Sequence, residues 1–316
     1  MQYSMLIDGR LVQTPEQDDV INPAKGAPFA SAPRASQAHI DEAVAAAARA
    51  YRTWVADEAL RRQKLNECAA AIQARVNDIA MLLVQEQGKP LGKAIEEVFG
   101  ASFWFSYFAG LEVKPEILQD DDTKRIQIVH KPLGVVAAIT PWNFPVILLA
   151  FKFGPALLAG NTIVAKPSEY TPLSSLLVGE ILKDVLPAGV VNFVAGAGGV
   201  GAQLSAHPDV RKVSFTGSVA TGKKIAQAAA ADLKRVTLEL GGNDPAIVLD
   251  DVDPKKVADD LFNSAFANSG QVCTAIKRLY VHESVYAPIL DRLIERAKTA
   301  KVGHLEAPTQ PRHRGL

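Results

Sequence analysis

From Gly134 onward the chain repeats one pattern. Five short, β-branched-rich runs follow one another, GVVAAIT, NTIVAK, VVNFVAG, RKVSFTG and RVTLEL, with helical stretches between them. Runs that are apolar throughout predict strands buried on both faces, and parallel strands need a helical crossover between them. The expected fold class is therefore α/β, an open parallel five-stranded sheet with helices on both faces. Sheets of this kind bind ligands beyond the carboxyl ends of their strands. Chemistry is thus expected just after each run.

All five strand ends carry polar or glycine clusters. They are Pro141-Trp142-Asn143-Phe144-Pro145, Lys166-Pro167-Ser168-Glu169, a glycine turn from Gly196, Thr216-Gly217-Ser218, and Glu239-Leu240-Gly241-Gly242. Gly196, Gly198 and Gly201 spell the G-x-G-x-x-G of a Rossmann-like dinucleotide site. That fingerprint requires an acid at the end of the next strand, about 20 residues on. None is there. The following strand ends in Phe215-Thr216-Gly217-Ser218, and Gly222 lies in the helix beyond. The backbone N–H groups of that helix start, with the Ser218 hydroxyl, are expected to form the better phosphate site.

Composition narrows the class. The chain has 316 residues, with 34 Lys plus Arg against 34 Asp plus Glu, so no basic excess points to nucleic acid or an anionic membrane. The most apolar stretch, GVVAAITPWNFPVILLAFKFGPALLAG, is broken by Asn143, Lys152 and several prolines before the roughly 20 residues a membrane span needs. The start, MQYSMLIDGRLV, lacks the basic and apolar regions of a secretory signal. Two cysteines and no Cys-x-x-Cys or histidine cluster predict neither a disulfide framework nor a metal site. A cytoplasmic location is expected.

The first part reads as mostly helical. Ser36 is the expected N-cap of an alanine-rich helix. The next helix carries Leu65, Cys68, Ile72, Val76, Ile79 and Leu83 on one apolar stripe and ends at Gly88 and Pro90. Cys68 is then a small core residue. LEVKPEILQDDDTKRIQIVH predicts an antiparallel ribbon projecting from the body and suited to subunit pairing, or an ordinary surface hairpin. Beyond Gly242 a second α/β unit begins, and it is expected to be incomplete.

Cys273 sits in NSGQVC, where small polar neighbours and Gly270 let a ligand approach, although a buried cysteine is the plainer reading. Glu239 is a lone acid inside an apolar strand, which wants a partner or a function. A thiol nucleophile and a carboxylate base make a workable pair, and Asn143 offers an amide donor for an oxyanion.

TPWNFP, KPSE, FTGS, LELGG and NSGQVC stand in the order and approximate spacing of the aldehyde dehydrogenase superfamily, as do EQGKP at 86–90 and GPALLAGNT at 154–162. The resemblance runs from about Tyr3 to Gly303. It implies that Cys273 attacks the aldehyde carbon, that the Asn143 amide and the Cys273 N–H hold the oxyanion, and that Glu239 activates the hydrolytic water. A free carboxylic acid is the implied product. Lys166 and Glu169 match residues at the adenosine ribose, and a carboxylate there favours NAD over NADP, though the family includes dual-specificity enzymes. Trp142, Gly201, Phe215, Gly217, Ser218, Gly222 and Leu240 are the other implied cofactor contacts, Gly201 beside the adenine.

The implied organisation is an NAD-binding domain over 1–113 and 134–241, a ribbon and oligomerisation segment over 114–133, a partial catalytic domain over 242–303, and an aberrant or disordered tail over 304–316. The family's catalytic domain continues beyond position 316, so a C-terminally truncated chain is expected. That leaves two functional expectations, an aldehyde oxidiser and a catalytically impaired NAD-binding remnant. The expected partner is a small-molecule aldehyde. Family members form homo-oligomers, but the strand that assembles them lies in the absent part.

Overall fold

The computed structural model describes residues 3–303. The N-terminal segment is where the sequence reading needs correction. It holds four strands, β1 (Met5–Ile7), β2 (Arg10–Val12), β3 (Gln17–Asn22) and β4 (Ala27–Pro33), before the first helix. They are short, and β3 and β4 lie half in solvent, so their hydrophobic pattern is weak. Helix α1 (Gln37–Trp54) begins at Ser36 as expected. The apolar stripe that follows is carried by two helices, α2 (Glu58–Ala74) and α3 (Val76–Gln87). Arg75 breaks them apart at φ −111°, ψ 21°, outside the helical region. Cys68 and Ile79 face the same core across that break, so side-chain spacing alone does not reveal it.

Helix α4 (Leu91–Gly110) leads to the ribbon, β5 (Glu116–Asp120) paired antiparallel with β6 (Arg125–Ile128). The alternating α/β part follows: β7 (Val135–Ile139), α5 (Pro145–Leu158), β8 (Thr162–Lys166), α6 (Leu173–Lys183), β9 (Val191–Phe193), α7 (Gly198–Ala206), β10 (Val210–Thr216), α8 (Val219–Ala231) and β11 (Arg235–Glu239). These five strands are parallel. Strands β1 and β2 extend the sheet antiparallel at one edge, giving the order β11-β10-β7-β8-β9-β1-β2. Asn192 fastens that extension, accepting from the Asp8 N–H at 3.0 Å and donating to the Gly189 carbonyl at 2.9 Å.

Strands β7, β8 and β9 are buried along their whole length, as continuous apolar runs require. Strand β11 is not. It is the free edge and lies largely exposed, so the expectation of cover on both faces fails there. The chain runs outward from β7 to β9, then returns to place β10 on the other side of β7. This reversal opens a crevice between the carboxyl ends of β7 and β10.

The second unit holds β12 (Asp244–Val248), α9 (Pro254–Ala265), a 3-10 turn at Ala267–Gly270, β13 (Ile276–Val281) and α10 (Glu283–Thr299). Strands β12 and β13 pair in parallel, and α9 and α10 cover one face through Val248, Ala258, Leu261, Val285 and Ile289. The paired Ile247 and Tyr280 are exposed at 73% and 54%. The expected tail, 304–316, lies outside the described residues.

Candidate active site

Three loops converge at the crevice between β7 and β10. The first leaves β7 through Thr140 to Phe144 and enters α5 at Pro145, a residue preset for a helix start. The second is the turn before Cys273. Asn268, Ser269 and Gly270 all take left-handed backbone, with φ of 49°, 59° and 76°. Two non-glycine residues in succession there are strained, and strain of this kind persists only where surroundings hold it. The third is the Gly241-Gly242 segment after β11. A Cβ at Gly242 would come within 2.4 Å of the Cys273 carbonyl oxygen, so only glycine lets the two segments pass.

Asn143 ties the first loop to the second. Its Nδ2 donates to the Gln271 carbonyl at 2.8 Å, two residues before Cys273. Its Oδ1 accepts from the Phe144 N–H at 3.1 Å, which fixes which end of the carboxamide faces the turn. Its carbonyl accepts from Asn268 Nδ2 at 3.2 Å. An amide nitrogen carries two hydrogens, so one remains for a ligand. Cys273 itself is a free, exposed thiol, and Cys68 is buried. The plainer reading of Cys273 as a core residue is thereby set aside.

Glu239 ends β11 and pairs in register with Thr216, and its carbonyl accepts from the Gly217 N–H at 3.0 Å. Its side chain is exposed, contrary to the burial argued from its apolar neighbours, because β11 is an uncovered edge. Sequence reasoning passed over its neighbour Lys152. This lysine is buried in α5 and donates to Thr216 Oγ1 at 2.8 Å and Ser214 Oγ at 3.3 Å. Burial pulls its ammonium down to about 8, while the charge of Glu239 works in the opposite sense. A lone cation in an apolar helix was the available signal.

At the end of β8, buried Lys166 reaches Glu169 Oε2 at 3.2 Å. Burial lowers the Lys166 ammonium and Glu169 raises it. Gly201 lies alongside, where a Cβ would sit 3.8 Å from Lys166 Cδ. Two helix starts open nearby. Helix α8 begins at Ser218, whose Oγ accepts from the Thr221 N–H at 3.2 Å. Helix α7 has no side-chain cap, and Cβ atoms at Gly198 and Gly199 would meet nothing within 4 Å. At Gly217 and Gly222, by contrast, a Cβ would press on the Phe215 ring at 2.5 Å and on Leu240 at 2.7 Å. Those two positions therefore have no room for a side chain. Trp142 is half exposed beside the crevice. A buried cation with an adjacent carboxylate, an uncapped helix start at α7 and a Ser218-capped start at α8 fit a dinucleotide, with hydroxyl and phosphate partners both provided.

Among the described residues no group of three or more metal-ligating side chains occurs, and no helix is long and apolar enough to cross a membrane.

The chain is similar to known proteins over nearly all its length. It is 40% identical over 308 residues to a "Probable aldehyde dehydrogenase" from a Pseudomonas species, covering 97% of this chain and 63% of that relative. It superposes with a TM-score of 0.91 and 36% identity on 3,6-anhydro-L-galactose dehydrogenase in complex with NAP, covering 98% of this chain and 66% of the other. It superposes equally, at 0.91 and 34% identity, on a betaine aldehyde dehydrogenase point mutant from Staphylococcus aureus in complex with NAD+ and bearing a BME-modified cysteine, covering 97% and 64%. The chain thus spans just under two thirds of these relatives. With the family profile matched over residues 12–311, it belongs to the aldehyde dehydrogenase family.

Proposed function

We propose that this chain oxidises an aldehyde to a carboxylic acid with NAD as hydride acceptor, through a covalent intermediate on Cys273. The observation that carries the reading is the Asn143 amide fastened 2.8 Å from the Gln271 carbonyl, just before an exposed thiol at the sheet's topological reversal.

The Cys273 thiolate adds to the carbonyl carbon, and the displaced electron pair goes to oxygen. The free hydrogen of Asn143 Nδ2, with the Cys273 N–H, stabilises that oxyanion. A bound nicotinamide dinucleotide supplies the hydride acceptor for collapse to a thioester. Glu239 takes a proton from water, the hydroxide displaces the thiolate, and the acid leaves. An exposed Glu239 can reach solvent without a relay. Lys152, buried against Thr216, holds positive charge behind it.

The cofactor contacts we assign are Trp142, Lys166, Glu169, Gly201, Phe215, Gly217, Ser218, Gly222 and Leu240. Glu169 sets the preference for NAD, since a carboxylate that accepts from ribose hydroxyls repels a 2′-phosphate. Glu169→Gln should therefore narrow the affinity gap between NAD and NADP. Gly198→Ala weakening the cofactor more than Ser218→Ala would move the phosphate site to α7.

The mechanism is tested by intact-mass spectrometry of Glu239→Gln incubated with NAD and a small aldehyde. An acyl adduct on the Cys273 peptide is expected, and an unmodified cysteine despite bound NAD contradicts it. A second reading, an NAD-binding chain without sustained turnover, is favoured by the exposure of β11, which leaves Glu239 open to water. It predicts NAD affinity that Cys273→Ser leaves unchanged and no acyl adduct.

A further inference from the structure

Buried directly behind Asn143 is an ion pair that the chemistry above does not use. Lys89 and Glu97 are 3% and 4% exposed, and the Lys89 ammonium contacts Glu97 Oε2. Replacing such a pair by apolar groups is often neutral or stabilising, so stability alone is a weak reason for it. Its other contacts all point one way. Lys89 Nζ donates to the Asn143 carbonyl at 2.9 Å and lies 4.1 Å from the centre of the Phe144 ring. Glu97 Oε1 accepts from the N–H groups of Val146 at 2.9 Å and Ile147 at 3.2 Å, capping the start of α5. The hydrogen bonds that both charges make outside the pair thus go to the segment 143–147.

The route by which Lys89 arrives is specific. Helix α3 ends at Gly88, whose φ of +86° turns the chain back inward. The preceding Gln87 places its Nε2 3.5 Å from Gln271 Oε1, so the same turn borders the Cys273 loop. The Asn143 carbonyl is thus shared by a rigid donor from the sheet domain, Lys89, and one from the strained turn, Asn268.

We propose that Lys89 is a positioning residue for the Asn143 carboxamide: anchored by Glu97, it fixes the Asn143 peptide so that the amide faces the Cys273 loop. The proposal rests on the role given to Asn143 above. Lys89→Met with Glu97→Gln tests it, because the glutamine oxygen can still cap α5 and the two charges of the pair are removed together, while the bond to Asn143 and the contact with the Phe144 ring are lost.

In that double variant the melting temperature and NAD affinity should stay near wild type. Amide exchange over 143–147 and 268–272 should quicken at least about ten-fold. The rate constant for hydride transfer should fall by about 10- to 100-fold with little change in the aldehyde KM. Unchanged exchange in both segments would overturn the proposal whatever the activity. No hydride transfer by wild type would sink the functional reading, and exchange would still decide the role of Lys89. Should the double variant not fold, Asn268→Ala decides: with Lys89 intact, 143–147 should stay protected while 268–272 loosens. Equal loosening of both contradicts Lys89 as the anchor.

Discussion

At the residue scale the two cysteines are opposites. Cys68 is fully buried, and burial pushes its thiol up, whereas Cys273 is exposed. Iodoacetamide should therefore label the native chain about once and the denatured chain about twice, with the native label on Cys273. Labelling of Cys68 in the folded protein would show the α2 core is not closed. Lys152 offers a pH test. Its ammonium falls from an ordinary 10.5 to about 8 in the fold. Between those values the unfolded chain binds the extra proton, so stability rises with pH through that window. Relative to Lys152→Met, wild type should gain up to about 3 kcal/mol between pH 8 and 10.5. A difference that is flat with pH would mean Lys152 is not desolvated. Asn143, Lys166 and Glu169 were legible because they stand at or just after strand ends, and Cys273 because it stands in a turn of small polar residues and glycine. Lys89 was not, because what marks it is burial, which depends on which helices pack together, and Lys152 showed only as a lone cation in an apolar helix.

At the scale of elements the alternating strands and helices from Gly134 to Glu239 could be read directly, since each strand is either continuously apolar or ends in a glycine cluster. The failures came where tertiary contact overrides pattern. The break at Arg75 lies inside an unbroken apolar stripe, and β1 and β2 are three residues each, too short for periodicity. Close approach also went unseen. Gly179 packs against the buried Phe193 ring so tightly that a Cβ would lie 2.8 Å away. Alanine there would gain about 1 kcal/mol of helix propensity and lose about 1–3 kcal/mol to overpacking. Gly179→Ala should thus lower the melting temperature by a few degrees, and adding Phe193→Leu should recover part of it. A rise in melting temperature would mean α6 slides freely over β9.

At the scale of the whole molecule the two units differ in how much they bury. The seven-stranded sheet has helices on both sides, while β12 and β13 have them on one. Two strands with a single covered face are marginal on their own. Amides of 244–248 and 276–281 should exchange faster than those of 135–139 and 162–166, and equal protection would show the units opening together. The exposed ribbon, with Ile117, Leu118, Ile126 and Ile128 on its surface, is our proposed site of pairing between subunits. The described chain carries the proposed nucleophile, oxyanion donor and base on loops that meet at one crevice, and it spans just under two thirds of its relatives. The central claim is that these residues act together on an aldehyde. Rapid mixing of the chain and NAD with a small aldehyde should produce a burst of reduced nicotinamide of about one equivalent per chain, followed by slow turnover, and Cys273→Ser should abolish it. A burst that survives in Cys273→Ser, or none in wild type that binds NAD, would contradict the claim.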